Sequence, residues 1–194
     1  MTNLQTTVPL IEVADISVGL MTARTITKEP TPYVYKTLNL RSVAQQGAID
    51  LNLVEDAFYQ NQVPETYFTR QGDIIVRNAK PYTAIAITSE TEGLVIPFFF
   101  IIIRVLDPNR LDPEYLAWHI NTPKVQQALY RESTGYLLAP IGVQQFKRLR
   151  VPLPPISKQR NLTEFNALAK KEVDLLRQLA DAREMLYNNL MKRF

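Results

Sequence analysis

The chain has 194 residues, of which 46% are hydrophobic and 21% charged, and this balance indicates one folded unit with an appendage rather than a disordered chain. It contains no cysteine, which excludes disulfides and thiolate metal sites. The net charge of +3 comes from residues 158–194, which carry eight Lys or Arg and five Asp or Glu, while residues 1–157 are balanced. Such mild basicity permits nucleic-acid binding and does not establish it.

The hydropathy pattern predicts neither export nor a membrane span. The N-terminus, Met1-Thr-Asn-Leu-Gln-Thr-Thr, lacks the charged start and apolar core of a signal peptide, so we expect a cytoplasmic protein. The longest apolar run, Leu94 to Val105, contains Pro97 and is too short to cross a bilayer. It is typical of a buried strand.

The first part of the chain is predicted to form short strands joined by polar loops. Leu10 to Leu20, Tyr33 to Leu40 and Leu51 to Val54 have the β-branched or alternating pattern of strands. The Thr-rich stretch from Met21 to Pro32, which contains two prolines, indicates an exposed loop.

A hairpin follows, and its tip is the best candidate for nucleic-acid contacts. Gly72-Asp73 supplies a turn, Ile74 to Val76 a short buried strand, and Thr83 to Thr88 the return strand. The tip between the strands carries donors, a guanidinium and a ring: Arg77, Asn78, Lys80 and Tyr82. Such groups suit phosphate and base-edge contacts, although a solvated basic turn has the same composition.

Helices are predicted beyond residue 112. Asp112 caps a helix with Pro113 at its first position, and a second helix runs from about Pro123 to Arg131. The first helix carries the single histidine, His119, which we interpret as a packing residue because no carboxylate pair is near it. A loop around Gly135 and a helical turn from Val143 to Leu149 complete this region.

The C-terminal segment is predicted to be one long amphipathic helix. Three prolines in Arg150-Val-Pro-Leu-Pro-Pro-Ile156 hold an extended strap, and no Gly or Pro follows from Ser157, a plausible N-cap, to Phe194. Some 35 helical residues make a rod of roughly 50 Å, too long for a compact domain of this size. We therefore expect a partner helix, parallel or antiparallel, rather than a helix lying along its own domain. The apolar stripe, interrupted by Arg183, consists of Leu162, Phe165, Ala169, Val173, Leu176, Leu179, Leu186 and Leu190.

The motifs of catalysis are missing from the sequence. It has no Gly-rich phosphate loop, no dinucleotide fingerprint, no Asn-Pro-Pro-Tyr run and no nuclease-like carboxylate spacing. With one histidine and no cysteine, a histidine-based triad has one candidate base and no supporting motif. We therefore predict a binding protein that is not an enzyme and requires no cofactor or metal.

Several segments, in order, resemble the specificity subunit of type I restriction-modification systems. They are Gln71-Gly-Asp-Ile-Ile-Val-Arg77, Leu111-Asp-Pro-Glu-Tyr-Leu-Ala-Trp-His-Ile-Asn-Thr122, Ser133-Thr-Gly-Tyr136, Phe146-Lys-Arg-Leu-Arg-Val-Pro-Leu-Pro-Pro-Ile156 and Gln159. The resemblance implies an α+β fold: a strand-rich target recognition domain with short helices, then a long helix that acts as a molecular ruler in an intermolecular coiled coil. It also implies no catalysis of its own, and partners that are double-stranded DNA, methyltransferase subunits and, through them, a nuclease.

Members of that family usually have two recognition domains and two helices, whereas this chain has one of each, residues 1–156 and 157–194. We therefore expect a half-subunit, either naturally short or a fragment, that pairs as an antiparallel homodimer and reads an interrupted palindrome. The stripe above is the predicted dimer interface. The predicted DNA contacts, chosen from loop chemistry and family-like placement, are Arg24, Lys28, Lys36, Arg77, Asn78, Lys80, Tyr82, Arg131, Ser133, Thr134 and Tyr136.

Two other classes of function remain open at this point. A scaffold or regulatory protein would use the helix to bind a partner and would show no salt-dependent DNA affinity. A stand-alone nuclease or methyltransferase would turn over substrate with a metal or S-adenosylmethionine.

Overall fold

The computed structural model describes residues 6–43, 47–132 and 141–192. Within these ranges the chain is an α+β structure of nine short strands and four α-helices, the last of which has 36 residues. This confirms the fold class expected from the sequence, a strand-rich unit with short helices followed by a long helix. Among the described residues, no helix combines the length and the hydrophobicity needed to cross a membrane.

A four-stranded antiparallel sheet, ordered β2-β8-β6-β7, is the centre of the domain. Its strands are β2 (Ala14–Val18), β6 (Asp73–Arg77), β7 (Ala84–Ala86) and β8 (Phe100–Val105). β6 and β7 form the predicted hairpin. β8 begins later than the apolar run suggested, after Pro97, which has no backbone N–H to donate to a ladder.

Side chains of this sheet alternate between two cores, as the period of a strand requires. Ile74 and Val76 belong to the larger core, which the helices cover, while Ile75 and Ile102 belong to the second core. Because both faces are covered, the central strands are apolar at nearly every position.

Two smaller sheets complete the strands. β3 (Ile26–Thr27), β5 (Glu55–Tyr59) and β4 (Val34–Thr37) pair in that order, and β1 (Thr7–Pro9) pairs with β9 (Arg150–Pro152). The strand predicted at Leu51–Val54 is wrong: Leu51–Leu53 is a 3-10 turn, which the Asp50 carboxylate caps by accepting the N–H of Asn52 at 3.0 Å. The strand is the acidic segment that follows, because pairing with both neighbours satisfies its backbone.

Three short helices pack on the larger core: α1 (Pro113–Ile120), α2 (Pro123–Glu132) and α3 (Val143–Arg148). The predicted start of α1 is confirmed, since an Asp112 carboxylate oxygen accepts the N–H of Tyr115 at 2.9 Å. His119 on α1 lies against the ring of Tyr115, with ring centroids 6.2 Å apart.

The long helix α4 (Ile156–Met191) begins at Ile156 with Pro155 at its N-cap, so the expected cap at Ser157 is corrected. Its first turns are docked on the domain through Gln159, which is fully buried. The Gln159 amide accepts the Asp112 N–H at 2.9 Å and donates to the carbonyl oxygens of Arg110 and Pro154 at 2.9 and 2.8 Å. Thr163 is the last buried residue of this helix.

Candidate nucleic-acid interface and the helical rod

The antiparallel register brings several loops to one edge of the central sheet, which we call the tip edge. Val18, at the end of β2, faces Ile101, and Arg77, at the end of β6, faces Phe100 at the start of β8. β7 begins at the same edge, since Ala84 is paired with the penultimate residue of β6. The loops of residues 19–25, 78–83 and 97–99 therefore lie together.

Hydrogen bonds and one close approach hold these loops in place. The Asn78 side chain donates to the carbonyl oxygen of Phe98 at 2.9 Å, and the Phe98 N–H donates to Leu20 at 2.8 Å. A Cβ at Gly19 would lie 2.2 Å from the carbonyl oxygen of Pro97, so this crossing requires glycine. Asn78 thus braces the tip edge with one of its amide N–H groups.

The hairpin tip meets the end of α2. The Lys80 ammonium lies 4.8 Å from the ring centroid of Tyr130, and the Tyr130 and Tyr82 rings are 5.3 Å apart. Arg131, the next residue, is exposed. The structure therefore brings together two groups that the sequence assigned separately to DNA contact, Lys80 and Arg131.

Tyr82 requires a correction. It is fully buried in the larger core, beneath Tyr130, so its ring is not on the surface that a DNA duplex could reach. Its hydroxyl has no hydrogen-bond partner among the described residues. We remove it from the candidate contacts.

Arg77 is partly buried at the end of β6. Its Nε atom is buried and forms no hydrogen bond within the described part of the chain. Because Nε is buried, only the terminal N–H groups of this guanidinium are candidates for an acceptor arriving at the tip edge.

The remaining predicted cations lie at or beside the tip edge. Arg24 is exposed at the end of a 3-10 turn within the loop of residues 19–25, and Lys28 is exposed just after β3. Lys36 is exposed on β4, where it faces Asp56 of β5 in the strand register. The acidic partner lowers the net charge at that position, so Lys36 is the weakest of the three as a phosphate contact. Ser133, Thr134 and Tyr136 lie outside the described residues.

Sequence reasoning missed three aromatic residues at the tip edge. Phe98 and Phe99 were assigned to a buried strand, but they form the loop before β8, are half-buried and have ring centroids 4.0 Å apart. Tyr130 is 38% exposed beneath Lys80. The proline before the phenylalanines was the signal that could have identified the first two as loop residues.

The described residues include the single histidine of the chain, His119. None of them form a cluster of three His, Cys, Asp or Glu side chains able to hold a metal ion. His119 Nε2 lies 3.4 Å from the carbonyl oxygen of Arg150. Burial lowers the pKa of His119, opposed by that hydrogen bond, and the charge of Lys124 lowers it further.

The rest of α4, residues 164–191, is almost entirely exposed, and we call it the rod. Its apolar side chains are uncovered: Phe165 is 73% exposed, Leu176 59% and Leu186 58%. Of the predicted interface, Leu162 is corrected, because it is partly buried and packs against the larger core of its own domain. A groove of about 550 Å³ separates Ala169 and Val173 from the loop at Gly47.

Neither a protein-family model nor a curated protein sequence matches the chain. Solved structures do match its fold. The HsdS subunit from Thermoanaerobacter tengcongensis aligns with 90% of this chain at a TM-score of 0.66 and 17% identity. A chain from a study of complex assembly and conformational transition of the type I R-M system aligns with 92% of this chain at a TM-score of 0.68 and 17% identity. The S subunit of a type I restriction-modification system from M. genitalium aligns with 92% of this chain at a TM-score of 0.57 and 15% identity.

These likenesses establish the fold, a domain with a long helix as in type I specificity subunits. The aligned region makes up 44%, 45% and 42% of those three chains, so this chain spans less than half the length of the structures it matches. At such low identity, the likeness does not carry over individual residues.

Proposed function

We propose that the chain is the sequence-specific DNA-binding half-subunit of a type I restriction-modification system. Residues 1–156 act as the target recognition domain, and residues 157–194 as the spacer and dimerisation helix. The subunit is cytoplasmic and has no catalysis of its own. It directs methyltransferase subunits, and through them a nuclease, to a bipartite target.

The observation that carries this proposal is the fold, shared over about nine-tenths of the chain with type I specificity subunits. The tip edge adds chemical support, because it combines Arg77 and Lys80 with exposed Arg131 and half-buried rings. Cations bind phosphates, while guanidinium groups also read guanine.

The rod supports the second half of the proposal. Its exposed apolar stripe needs a cover, and a second copy brings an identical stripe. Antiparallel pairing of two rods places one recognition domain at each end, and the two-fold axis then demands a palindromic target. We expect a dimer mass in light scattering at micromolar concentration; a monomer mass would contradict the pairing.

The DNA-binding part of the proposal is tested by selecting bound duplexes from a random-sequence pool and measuring their affinity by fluorescence anisotropy. We expect a steep fall of affinity with salt, because phosphate contacts release counterions. Arg77→Ala should weaken binding by about 1–3 kcal/mol and relax preference at one position, whereas Lys80→Ala should reduce the salt slope by about one.

Arg110→Ala is the matched control, since Arg110 is exposed beyond the end of β8, on the opposite side of the sheet from the tip edge. It should leave affinity unchanged. Thermal unfolding of each variant separates loss of contact from loss of fold. Absence of salt-dependent DNA affinity would favour the alternative function, a scaffold that acts through the exposed stripe of the rod.

A further inference from the structure

Two charged residues interrupt the apolar stripe of the rod, Glu172 and Arg183. The residues three and four positions away, which are neighbours on a helix, are all apolar for both of them. For Glu172 they are Leu168, Ala169, Leu175 and Leu176, and for Arg183 they are Leu179, Ala180, Leu186 and Tyr187. Neither charge can therefore form an ion pair within its own helix.

The stripe has the repeat of a coiled coil. From Phe165 to Leu190 a single heptad frame places Ala169, Leu176, Arg183 and Leu190 at position a. Phe165, Glu172, Leu179 and Leu186 then occupy position d. The flanking e and g positions hold no charged residue, so Glu172 and Arg183 are the charges at the seam.

We propose that Glu172 of one copy pairs with the partner's Arg183, and that this pair sets the register of the antiparallel dimer. The inference rests on the proposed function, because it takes the dimer as given and specifies how the rods align. In this register the sum of the two facing residue numbers is constant at 355, and the two-fold axis passes between residues 177 and 178. The pair occurs twice in the dimer by symmetry.

The other seam layers become apolar in the same register, and each joins an a to a d position. They are Leu176 with Leu179, Ala169 with Leu186, and Phe165 with Leu190. Beside the seam, e positions flank the partner's e positions and g positions its g positions, so their numbers sum to 353 and 357. Val173 is thus next to the partner's Ala180, and Leu175 next to the partner's Ala182, which sets a large side chain beside a small one in both pairs.

Other alignments leave the charges without a partner. A slip of one heptad places Glu172 opposite Leu176 or Leu190, which removes its counter-charge at the seam. A parallel pair in register places Glu172 against Glu172 and Arg183 against Arg183. Burying an unpaired charge or opposing like charges is unfavourable, and this is how polar seam residues select a register.

The docked turns of α4 exclude one slip on steric grounds. In the proposed register the partner's Met191 lies beside Glu164, just short of Thr163, the last buried residue. A slip of one heptad towards the domain would place it beside Ser157 and against the turn held by Gln159.

The register sets the distance between the two recognition domains. The Thr163 residues of the two copies lie 29 residues apart along the rod, or about 44 Å at 1.5 Å per residue. One heptad of slip would change this distance by about 10 Å, or about three base pairs at 3.4 Å each. The ion pair therefore determines the spacing of the half-sites.

Spin labels measure the register directly, because the chain has no native cysteine to compete. In full-length Asn188→Cys, labels on the outward face should lie about 37 Å apart by pulsed electron resonance, counting both helix radii. A one-heptad slip gives about 29 or 47 Å, and a parallel pair about 20 Å. Any distance other than the first overturns the register while the dimer stands.

Charge exchange tests the pair itself. Glu172→Arg and Arg183→Glu should each weaken dimerisation roughly tenfold or more in sedimentation, and the double exchange should restore it and the label distance. Asp181→Arg, the same change of charge at an outward position of the helix, should have no effect. Single variants as tight as the unmodified chain would overturn the role of the pair.

A monomer at all concentrations would overturn the register and the dimer together. DNA affinity of the recognition domain, measured on the same sample, then reports separately on the DNA-binding part of the proposed function.

Discussion

The docked turns of α4 and its rod belong to one continuous helix, yet the docked turns bury a polar side chain and the rod exposes apolar ones. At residues 156–163 an uncharged amide, Gln159, is fully buried and makes three hydrogen bonds. At residues 164–191 large apolar side chains such as Phe165 and Leu176 are exposed. The docked part is complete within this chain, whereas the rod has an apolar surface that its own domain does not cover.

This difference shows which part of the helix specifies the fold and which part is available to a partner. A buried amide with all its partners fixes the direction in which the helix leaves the domain, since any other direction breaks those bonds. An exposed apolar stripe contributes little to the stability of a single copy, because folding removes little of it from water. Variants in the two regions should therefore separate fold stability from association.

The largest effect is expected from an ion pair in the domain. Arg104 donates from Nε and Nη2 to the carboxylate oxygens of Asp73, each at 3.0 Å, and from Nη2 to the carbonyl oxygens of Thr66 and Phe68 at 3.1 Å. Asp73 is 5% exposed, so Arg104→Ala leaves a buried carboxylate without its counter-charge and with the Arg70 N–H as its remaining donor. We expect a loss of about 3 kcal/mol in the free energy of unfolding, measured by urea denaturation.

The rod offers the matched control for that variant. Arg177 and Asp174 are 3.5 Å apart with side chains 68% and 65% exposed, and water screens such a pair. Arg177→Ala should leave the unfolding free energy of the domain unchanged. Equal losses in the two variants would contradict the distinction between the regions.

Sequence patterns predicted the elements that local signals determine. The start of α1 follows from Asp112 and Pro113, whose cap and fixed φ act within one turn, and the length of α4 follows from a run without Gly or Pro. They did not predict β5, whose acidic residues form a strand because β3 and β4 pair with it from both sides. That interaction is between segments distant in sequence.

The candidate site was predictable as a region more than as a set of side chains. Arg77 and Lys80 were located on the hairpin tip by the turn and strand pattern around them. The roles of Asn78 and Tyr82 were not predicted. The carbonyl group that accepts from the Asn78 amide is in the loop before β8, and the ring that covers the Tyr82 phenol is on α2. Composition of a loop does not show which of its polar groups the fold itself uses.

A smaller effect is expected at the docked amide. Gln159→Ala removes two donated bonds and leaves the Asp112 N–H without its acceptor, so we expect a loss of about 2–3 kcal/mol in urea denaturation. Gln178→Ala makes the same change on the exposed rod and should have almost no effect on the domain. A loss below about 0.5 kcal/mol for Gln159→Ala would show that the docked turns do not depend on this network.

The smallest effect is the pH dependence that His119 contributes. Burial lowers the pKa of His119 below its ordinary value of 6.5. Between the folded pKa and 6.5, the unfolded chain binds more protons than the folded chain, so stability rises with pH in this window. We therefore expect the unfolding free energy to fall as pH is lowered through 6.5, and this part of the slope to vanish in His119→Gln. The rod carries no histidine, so dimerisation should not share the slope; an identical slope in His119→Gln would assign it to other groups.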